Sequence, residues 1–66
     1  MRVEILIRDV RENKNIKLDK LAELSGISKG TLSKIERNEQ QPKLITMLLI
    51  AKALKCNITE LYKIHF

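Results

Sequence analysis

A single cysteine, Cys56, and a single histidine, His65, occur among the 66 residues. Neither an intrachain disulfide nor a zinc cluster can therefore stabilise the fold. A chain of this length buries only about 60% of the surface that its unfolded form exposes, so its stability must come from well-packed secondary structure or from a partner. The apolar content of 44% is that of a globular domain, and we predict one domain over residues 1–66.

Charge and hydropathy narrow the possible function classes. The chain carries 13 Lys and Arg against 8 Asp and Glu, and its net charge of +5 favours a polyanionic partner. No apolar run approaches the roughly 18–20 residues of a membrane span and no signal peptide is visible, so we expect a cytoplasmic protein that does not bind membranes. No set of nucleophile, base and orienting group is recognisable, so we expect no enzyme activity, metal, cofactor or small-molecule ligand.

The scarcity of aromatic residues, glycine and proline predicts an all-α fold. Apolar spacing and capping signals predict five helices, within residues 1–13, at 18–24, at 29–37, at 44–55 and after Asn57. The first few residues also alternate in polarity, so an extended start is an alternative. Glu60 is the capping-box partner of Asn57. His65 is interpreted as a mobile residue.

The fourth of these helices is apolar around most of its circumference. Its apolar positions span an arc of about 260°, whereas a one-sided core helix needs little more than about 100°. Ile45 and Leu49 lie outside the predicted core face, one turn apart. They are covered by a terminal segment, form a subunit interface or stand exposed singly, and we favour the interface because neighbouring apolar residues beyond the core indicate a patch. The predicted core face consists of Leu44, Met47, Leu48, Ala51 and Leu54.

Residues 18–37 have the pattern of a helix-turn-helix, two short helices joined by a brief turn that contains glycine. Gly26 permits the sharp turn, the small Ala22 permits a close helix crossing, and Ser28 is a suitable N-cap for the second helix. The outer side of that helix is cationic, hydroxylic or without a side chain, which suits the major groove of DNA. A solvated charged face is the alternative interpretation. The outer residues are Lys29, Gly30, Ser33, Lys34 and Arg37.

The chain resembles the Cro/C1-type (XRE-like) helix-turn-helix family of prokaryotic and phage repressors. The resemblance covers about residues 5–62 and depends on five strings in this order, Ile7–Glu12, Leu21–Ser28, Thr31–Arg37, Leu48–Leu54 and Ile58–Tyr62. It implies a compact five-helix lambda-repressor-like domain that binds DNA with its third helix, usually as a homodimer on a two-fold operator.

The resemblance also implies roles for individual residues. Lys29, Ser33 and Lys34 take the positions that read bases. The residues expected to contact the DNA phosphates and backbone are Lys17, Ser28, Gly30, Thr31, Arg37 and Asn38. An ion pair between Arg11 and Glu36 is expected to join the first helix to the third.

Three departures from the family pattern stand out. Lys17 and Leu18 replace the Ser or Thr and the Gln that usually begin the second helix, so an ionic contact from Lys17 replaces the usual phosphate contact. Ile45 and Leu49 replace charged residues of the fourth helix. Asn38 stands where glycine is usual, and asparagine tolerates the left-handed conformation that this position requires.

We therefore predict a sequence-specific regulator of transcription, acting as a repressor, that inserts the helix at 29–37 into the major groove of double-stranded DNA. The predicted dimer interface comprises Ile45, Leu49, Ile58, Tyr62, Ile64 and Phe66. The alternative is a protein-interaction module of the same fold, antitoxin-like or a co-regulator, that binds a protein partner through the apolar helix at 44–55 and the C-terminal segment.

Overall fold

The computed structural model describes residues 1–66 and contains four α-helices and a two-stranded antiparallel sheet. In chain order the elements are β1 (Arg2–Ile5), α1 (Ile7–Asn13), α2 (Leu18–Ser25), α3 (Lys29–Glu36), α4 (Leu44–Leu54), a 3-10 helix (Ile58–Glu60) and β2 (Tyr62–His65). The expected helical architecture with its helix-turn-helix, α2 and α3, is present. The expectation of five helices, and with it of an all-α chain, is wrong.

A strand replaces most of the expected fifth helix. The Asn57 backbone N–H donates to the Glu60 carboxylate (N–Oε2, 2.8 Å), as the capping signal indicates. The helical turn ends after three residues, however, because the following chain pairs with β1. Apolar and polar residues alternate over 62–66, the period of two that is typical of a strand. The capping signal therefore indicates only the single turn of 3-10 helix, and the alternation that follows is typical of β2.

The sheet joins the two ends of the described chain. Arg2 pairs with His65 and Ile5 pairs with Tyr62, so the strands are in register over four residues. His65 is held in this sheet rather than mobile, because its Nε2 lies 2.8 Å from Oε1 of Glu4. This hydrogen bond lowers the pKa of the Glu4 carboxyl below its ordinary value. The first few residues are thus extended, as their alternation allows.

One apolar core lies between the four helices and the segment that precedes β2. Ile7 and Leu61, 54 positions apart in the sequence, are both fully buried in it. The Leu6 N–H donates to the Leu61 carbonyl oxygen at 2.8 Å, which fixes the two segments side by side. Nine buried apolar residues form this core: Ile7, Leu21, Leu32, Ile35, Met47, Ile50, Ala51, Leu54 and Leu61.

The buried face of α4 differs from the predicted one. Ile50 is fully buried, whereas Leu44 and Leu48 are 71% and 45% exposed. Because α4 is apolar on most sides, its own periodicity does not determine which arc is buried, and packing against α2 selects the arc that contains Met47 and Leu54. With 11 residues, α4 is too short to cross a bilayer, and no other helix has the length and apolar character for it.

The core position of Leu61 gives a test of this fold. Leu61→Ala is expected to lower the free energy of unfolding by about 2–5 kcal/mol, because a fully buried side chain is lost and a cavity remains. Leu24→Ala is the control, since Leu24 lies half exposed on α2, and we expect it to cost less than about 1 kcal/mol. Urea denaturation followed by circular dichroism measures both values. Equal losses would contradict the burial of Leu61.

Candidate nucleic-acid interface

The turn between α2 and α3 is fixed by local backbone chemistry. Gly26 adopts the left-handed conformation (φ 73°) and ends α2, as its position predicts. The Ile27 N–H donates to the Ser25 hydroxyl oxygen at 3.2 Å. The Thr31 N–H donates to the Ser28 hydroxyl oxygen at 3.2 Å, and the Ser28 hydroxyl donates to Oγ1 of Thr31 at 2.9 Å. Ser28 is therefore the N-cap of α3, and its carbonyl oxygen accepts from the Leu32 N–H at 3.0 Å, so its backbone N–H rather than its engaged hydroxyl is free for a ligand.

Helix α3 buries one side and presents the other to solvent. Leu32 and Ile35 are buried in the core, whereas Lys29, Gly30 and Lys34 are exposed. A Cβ atom added at Gly30 would meet no atom within 4 Å, so nothing in the chain occupies the space above this residue. Thr31 and Ser33 are half-buried at the edges of this outer face, and Arg37 and Asn38 are exposed beyond its end. The outer face is thus open along its length.

Asn38 follows the end of α3, and Lys17 is the N-cap residue of α2. Asn38 has a φ of 61°, the left-handed conformation that asparagine tolerates. Lys17 is exposed at the N-cap of α2, and its side chain makes no capping hydrogen bond. Leu18 is half-buried and packs against the core. Its apolar side chain cannot form the hydrogen bonds of the glutamine that is usual at this position in the family.

An ion pair between Arg11 and Glu36 connects α1 to the last turn of α3. Arg11 donates from Nε to Oε2 of Glu36 (2.8 Å) and from Nη2 to Oε1 (3.0 Å), while its Nη1 donates to the Ile16 carbonyl oxygen (3.0 Å). The side chains are 11% and 2% exposed, respectively. The hydrogen bonds to Glu36 raise the pKa of the Arg11 guanidinium further, so it is charged at every accessible pH. Arg8 adds a longer contact to Oε1 (3.4 Å) from the surface.

Three cations, Lys29 and Lys34 on the outer face of α3 and Arg37 just beyond its end, are candidates for DNA contact, and two of them are paired with carboxylates of the same chain. Lys29 Nζ lies 2.6 Å from Oδ1 of Asp19, and Arg37 Nε lies 2.7 Å from Oε2 of Glu39. The hydrogen bond from Lys29 lowers the pKa of the Asp19 carboxyl, which is therefore ionised at neutral pH. Lys34 has no ion-pair partner within 4 Å. Asp19 and Glu39 are not among the residues predicted from the sequence. Asp19 lies ten residues before its partner, and no local spacing indicates that contact.

The residues predicted for a dimer interface lie on α4 and β2. Ile45 and Leu49 are 60% and 40% exposed, so neither terminal segment covers them. Ile64 and Phe66 are also exposed, while Ile58 and Tyr62 are half-buried against the core. A groove of about 700 Å³ lies between the sheet, residues 38–42 and the start of α4, and Leu44, Tyr62 and Ile64 are among its lining residues. The apolar surface of α4 therefore continues onto the sheet.

Two short helices, α2 and α3, are joined by a turn that contains glycine, and the outer face of the second is open to solvent. This arrangement defines a helix-turn-helix protein. Comparison with known proteins agrees. The model of a family described as Helix-turn-helix matches residues 7–61. The control protein C.SmaI of Serratia marcescens is 36% identical over 61 residues, with 88% of this chain and 73% of that protein covered. The transcriptional regulator SutR of Escherichia coli is 40% identical over 48 residues, which are 73% of this chain and 27% of SutR.

Solved structures show the same arrangement. The restriction-modification controller protein C.AhdI of Aeromonas hydrophila superposes with a TM-score of 0.79 at 30% identity, covering 82% of each chain. The DNA-binding domain of the P22 C2 repressor gives a TM-score of 0.78 at 29% identity and covers 89% of this chain and 82% of that one. The chain belongs to this helix-turn-helix family, the DNA-binding transcriptional regulators of the Cro/C1 (XRE) type, which confirms the resemblance.

The anchoring ion pair gives a second test. Arg11→Met is expected to lower the free energy of unfolding by about 3–5 kcal/mol, because it leaves the Glu36 carboxylate buried with only the longer Arg8 contact. Arg8→Met is the matched control, the same substitution facing the same carboxylate. Its side chain is 51% exposed, and we expect a loss below about 1 kcal/mol. Chemical denaturation measures the free energy of unfolding of both variants. Similar losses would show that the Arg11 contact stabilises the fold no more than the exposed Arg8 contact does.

Proposed function

We propose that the chain binds a specific two-fold operator in double-stranded DNA through α3, as a homodimer, and represses transcription in the cytoplasm by occupying that operator. The observation that carries this proposal is the open outer face of α3, a helix that Leu32 and Ile35 hold against the core. A helix of this kind fits the major groove, where each base pair presents a distinct set of donors and acceptors. The controller and repressor proteins among the relatives agree with a role in operator binding.

The residues divide into those that read bases and those that position the protein. Lys34 is exposed without an ion-pair partner, so its ammonium is free to donate to guanine O6 or N7. Lys29 and Ser33 lie on the same face and complete the reading set. The backbone N–H groups at the start of α3 that make no hydrogen bond within the chain are available to bind a phosphate, as at other helix N-termini. The proposed phosphate and backbone contacts are Lys17, Ser28, Gly30, Thr31, Arg37 and Asn38.

Selection from a random pool of duplex DNA tests this function directly. We expect enrichment of one motif with two-fold symmetry, its half-sites separated by about 34–36 Å, one helical turn. Affinity for the enriched duplex should fall steeply with salt, because each phosphate neutralised contributes about −0.9 to the slope of log K against log salt. A pool that remains random, with the protein folded, would refute the proposal.

Single substitutions separate base reading from phosphate contact. Lys34→Ala is expected to cost about 1–3 kcal/mol on the enriched duplex and to relax the preference at one position of each half-site. Arg37→Ala should instead weaken binding to all duplexes alike. It should also make the slope of log K against log salt shallower by about 0.9 per protomer, the contribution of one phosphate contact. Fluorescence anisotropy on the enriched and a scrambled duplex measures both effects. If Lys34→Ala weakens both duplexes equally, Lys34 is a phosphate contact.

The exposed apolar surface on α4 and β2 supports the homodimer. Leu44 with Leu48 and Ile45 with Leu49 form two exposed rows, each with the four-residue spacing that places side chains one above the other. Monomeric proteins rarely expose large continuous apolar patches. A second copy related by two-fold symmetry covers such a patch with the same patch, and this symmetry also matches a two-fold operator.

The dimer is tested by a double substitution in this surface. Ile45→Glu with Leu49→Lys should convert a dimer of about twice 7.7 kDa into a folded monomer in sedimentation equilibrium. Transfer of two charged side chains from water into the interface costs more free energy than their mutual attraction returns. Leu24→Glu alters an exposed leucine on α2 and should leave the dimer intact. An unchanged mass for the double variant would contradict this interface. A wild-type monomer that binds DNA weakly would favour the alternative, a protein-interaction module that uses the same apolar surface.

A further inference from the structure

The ion pair between Asp19 and Lys29 lies within the surface proposed to meet DNA. Asp19 is in the first turn of α2 and Lys29 is the first residue of α3. Their side chains are 75% and 60% exposed, and the Nζ–Oδ1 distance is 2.6 Å. A carboxylate in this place repels the phosphates of any DNA duplex, so its presence costs overall affinity. The effect of Asp19 on DNA binding is therefore to be sought in specificity rather than in overall affinity.

We propose that Asp19 is a specificity-determining residue, which holds Lys29 in position to read a base and withholds it from phosphates. The inference rests on the proposed function, since it requires α3 to lie in the major groove. Asp19 is a positioning residue in this scheme, because it acts on the DNA through Lys29.

The donor count of an ammonium group makes this division possible. Lysine Nζ carries three donors. One donates to Asp19, and two remain for the O6 and N7 acceptors of a guanine. The ion pair therefore persists when Lys29 reads a base. A phosphate carries a full negative charge, whereas O6 and N7 of guanine carry only partial negative charges. The Asp19 carboxylate, 2.6 Å from Lys29 Nζ, therefore repels a phosphate at this ammonium more strongly than it repels a base edge.

Lysine also needs such a positioning group more than arginine does. A guanidinium is a planar fork whose geometry matches guanine, whereas an ammonium is a point charge on a flexible stem that discriminates weakly between acceptors. A carboxylate 2.6 Å from Lys29 Nζ restricts the ammonium to one region of the outer face.

Asp19→Asn tests the inference, because it removes the charge and keeps the shape. The probes are the duplex enriched by the wild-type protein and a scrambled duplex of the same length and composition. We expect the variant to bind the scrambled duplex about two- to fivefold more tightly, the range expected for release of an exposed ion pair. The salt slope on that duplex should steepen by about 0.9 per protomer, as Lys29 gains a phosphate. Affinity for the enriched duplex should stay within about twofold, so the specificity ratio falls.

Glu23→Gln is the matched control. Glu23 lies on the same helix, is exposed and pairs with Lys20 (3.6 Å), so this variant has the same change in net charge but leaves Lys29 paired. We expect its specificity ratio to equal that of the wild type. An equal fall in both variants, or a ratio unchanged by Asp19→Asn, would overturn the inference, because Asp19 would then be only one negative charge among others. Thermal melting establishes that each variant is folded.

A double-mutant cycle isolates the contribution of Lys29. In a Lys29→Ala background, Asp19→Asn should no longer change the specificity ratio, and a change of the same size would also overturn the inference. Repeated selection with Asp19→Asn should lose preference only at the base position that Lys29→Ala relaxes. Failure of the wild type to enrich any sequence would instead refute the proposed function itself, so the two failures are distinguishable.

Discussion

The placement of α3 depends on the ion pair between Arg11 and Glu36. One guanidinium contacts the last turn of α3 and the loop before α2, and it does so with three separate nitrogens. Since the Glu36 side chain is almost fully buried, α3 cannot shift along its axis without leaving a carboxylate unpaired in the interior. The apolar contacts of Leu32 and Ile35 hold α3 against the core, and the ion pair adds the directional constraint that apolar contacts lack.

The parts of this structure that the sequence predicts are those determined by local sterics. Gly26 and Asn38 have the left-handed backbone expected at the two helix ends, and Ser28 caps α3 as a serine at that position should. Each of these signals requires only the residue and its near neighbours, which is why the helix-turn-helix, and with it the family, is readable from the chain alone. The Arg11–Glu36 contact follows from the resemblance and not from spacing.

The sheet, the buried face of α4 and the pairing of Lys29 depend on distant residues. Tyr62 to His65 form a strand because Arg2 to Ile5 are available as a partner, and a capping signal at Asn57 indicates only the turn before it. An apolar helix such as α4 is consistent with several buried arcs until its neighbours are placed. The number of cations on and next to the outer face of α3 is likewise misleading by itself. Asp19 and Glu39, which lie outside this face, pair with two of the three cations that the sequence offers for DNA contact.

The antiparallel pairing of β1 with β2 has a consequence for the order of folding. Helices α2 and α3 are joined by contacts between residues close in the chain, so they are able to form early. The pairing of Arg2 with His65 and the burial of Ile7 beside Leu61 close a loop of more than 50 residues, which adds entropy cost that only the finished core repays. We therefore expect α3 to form before the contacts between the two ends of the chain that complete the core, so that the surface able to bind DNA reaches its final position only with those last contacts.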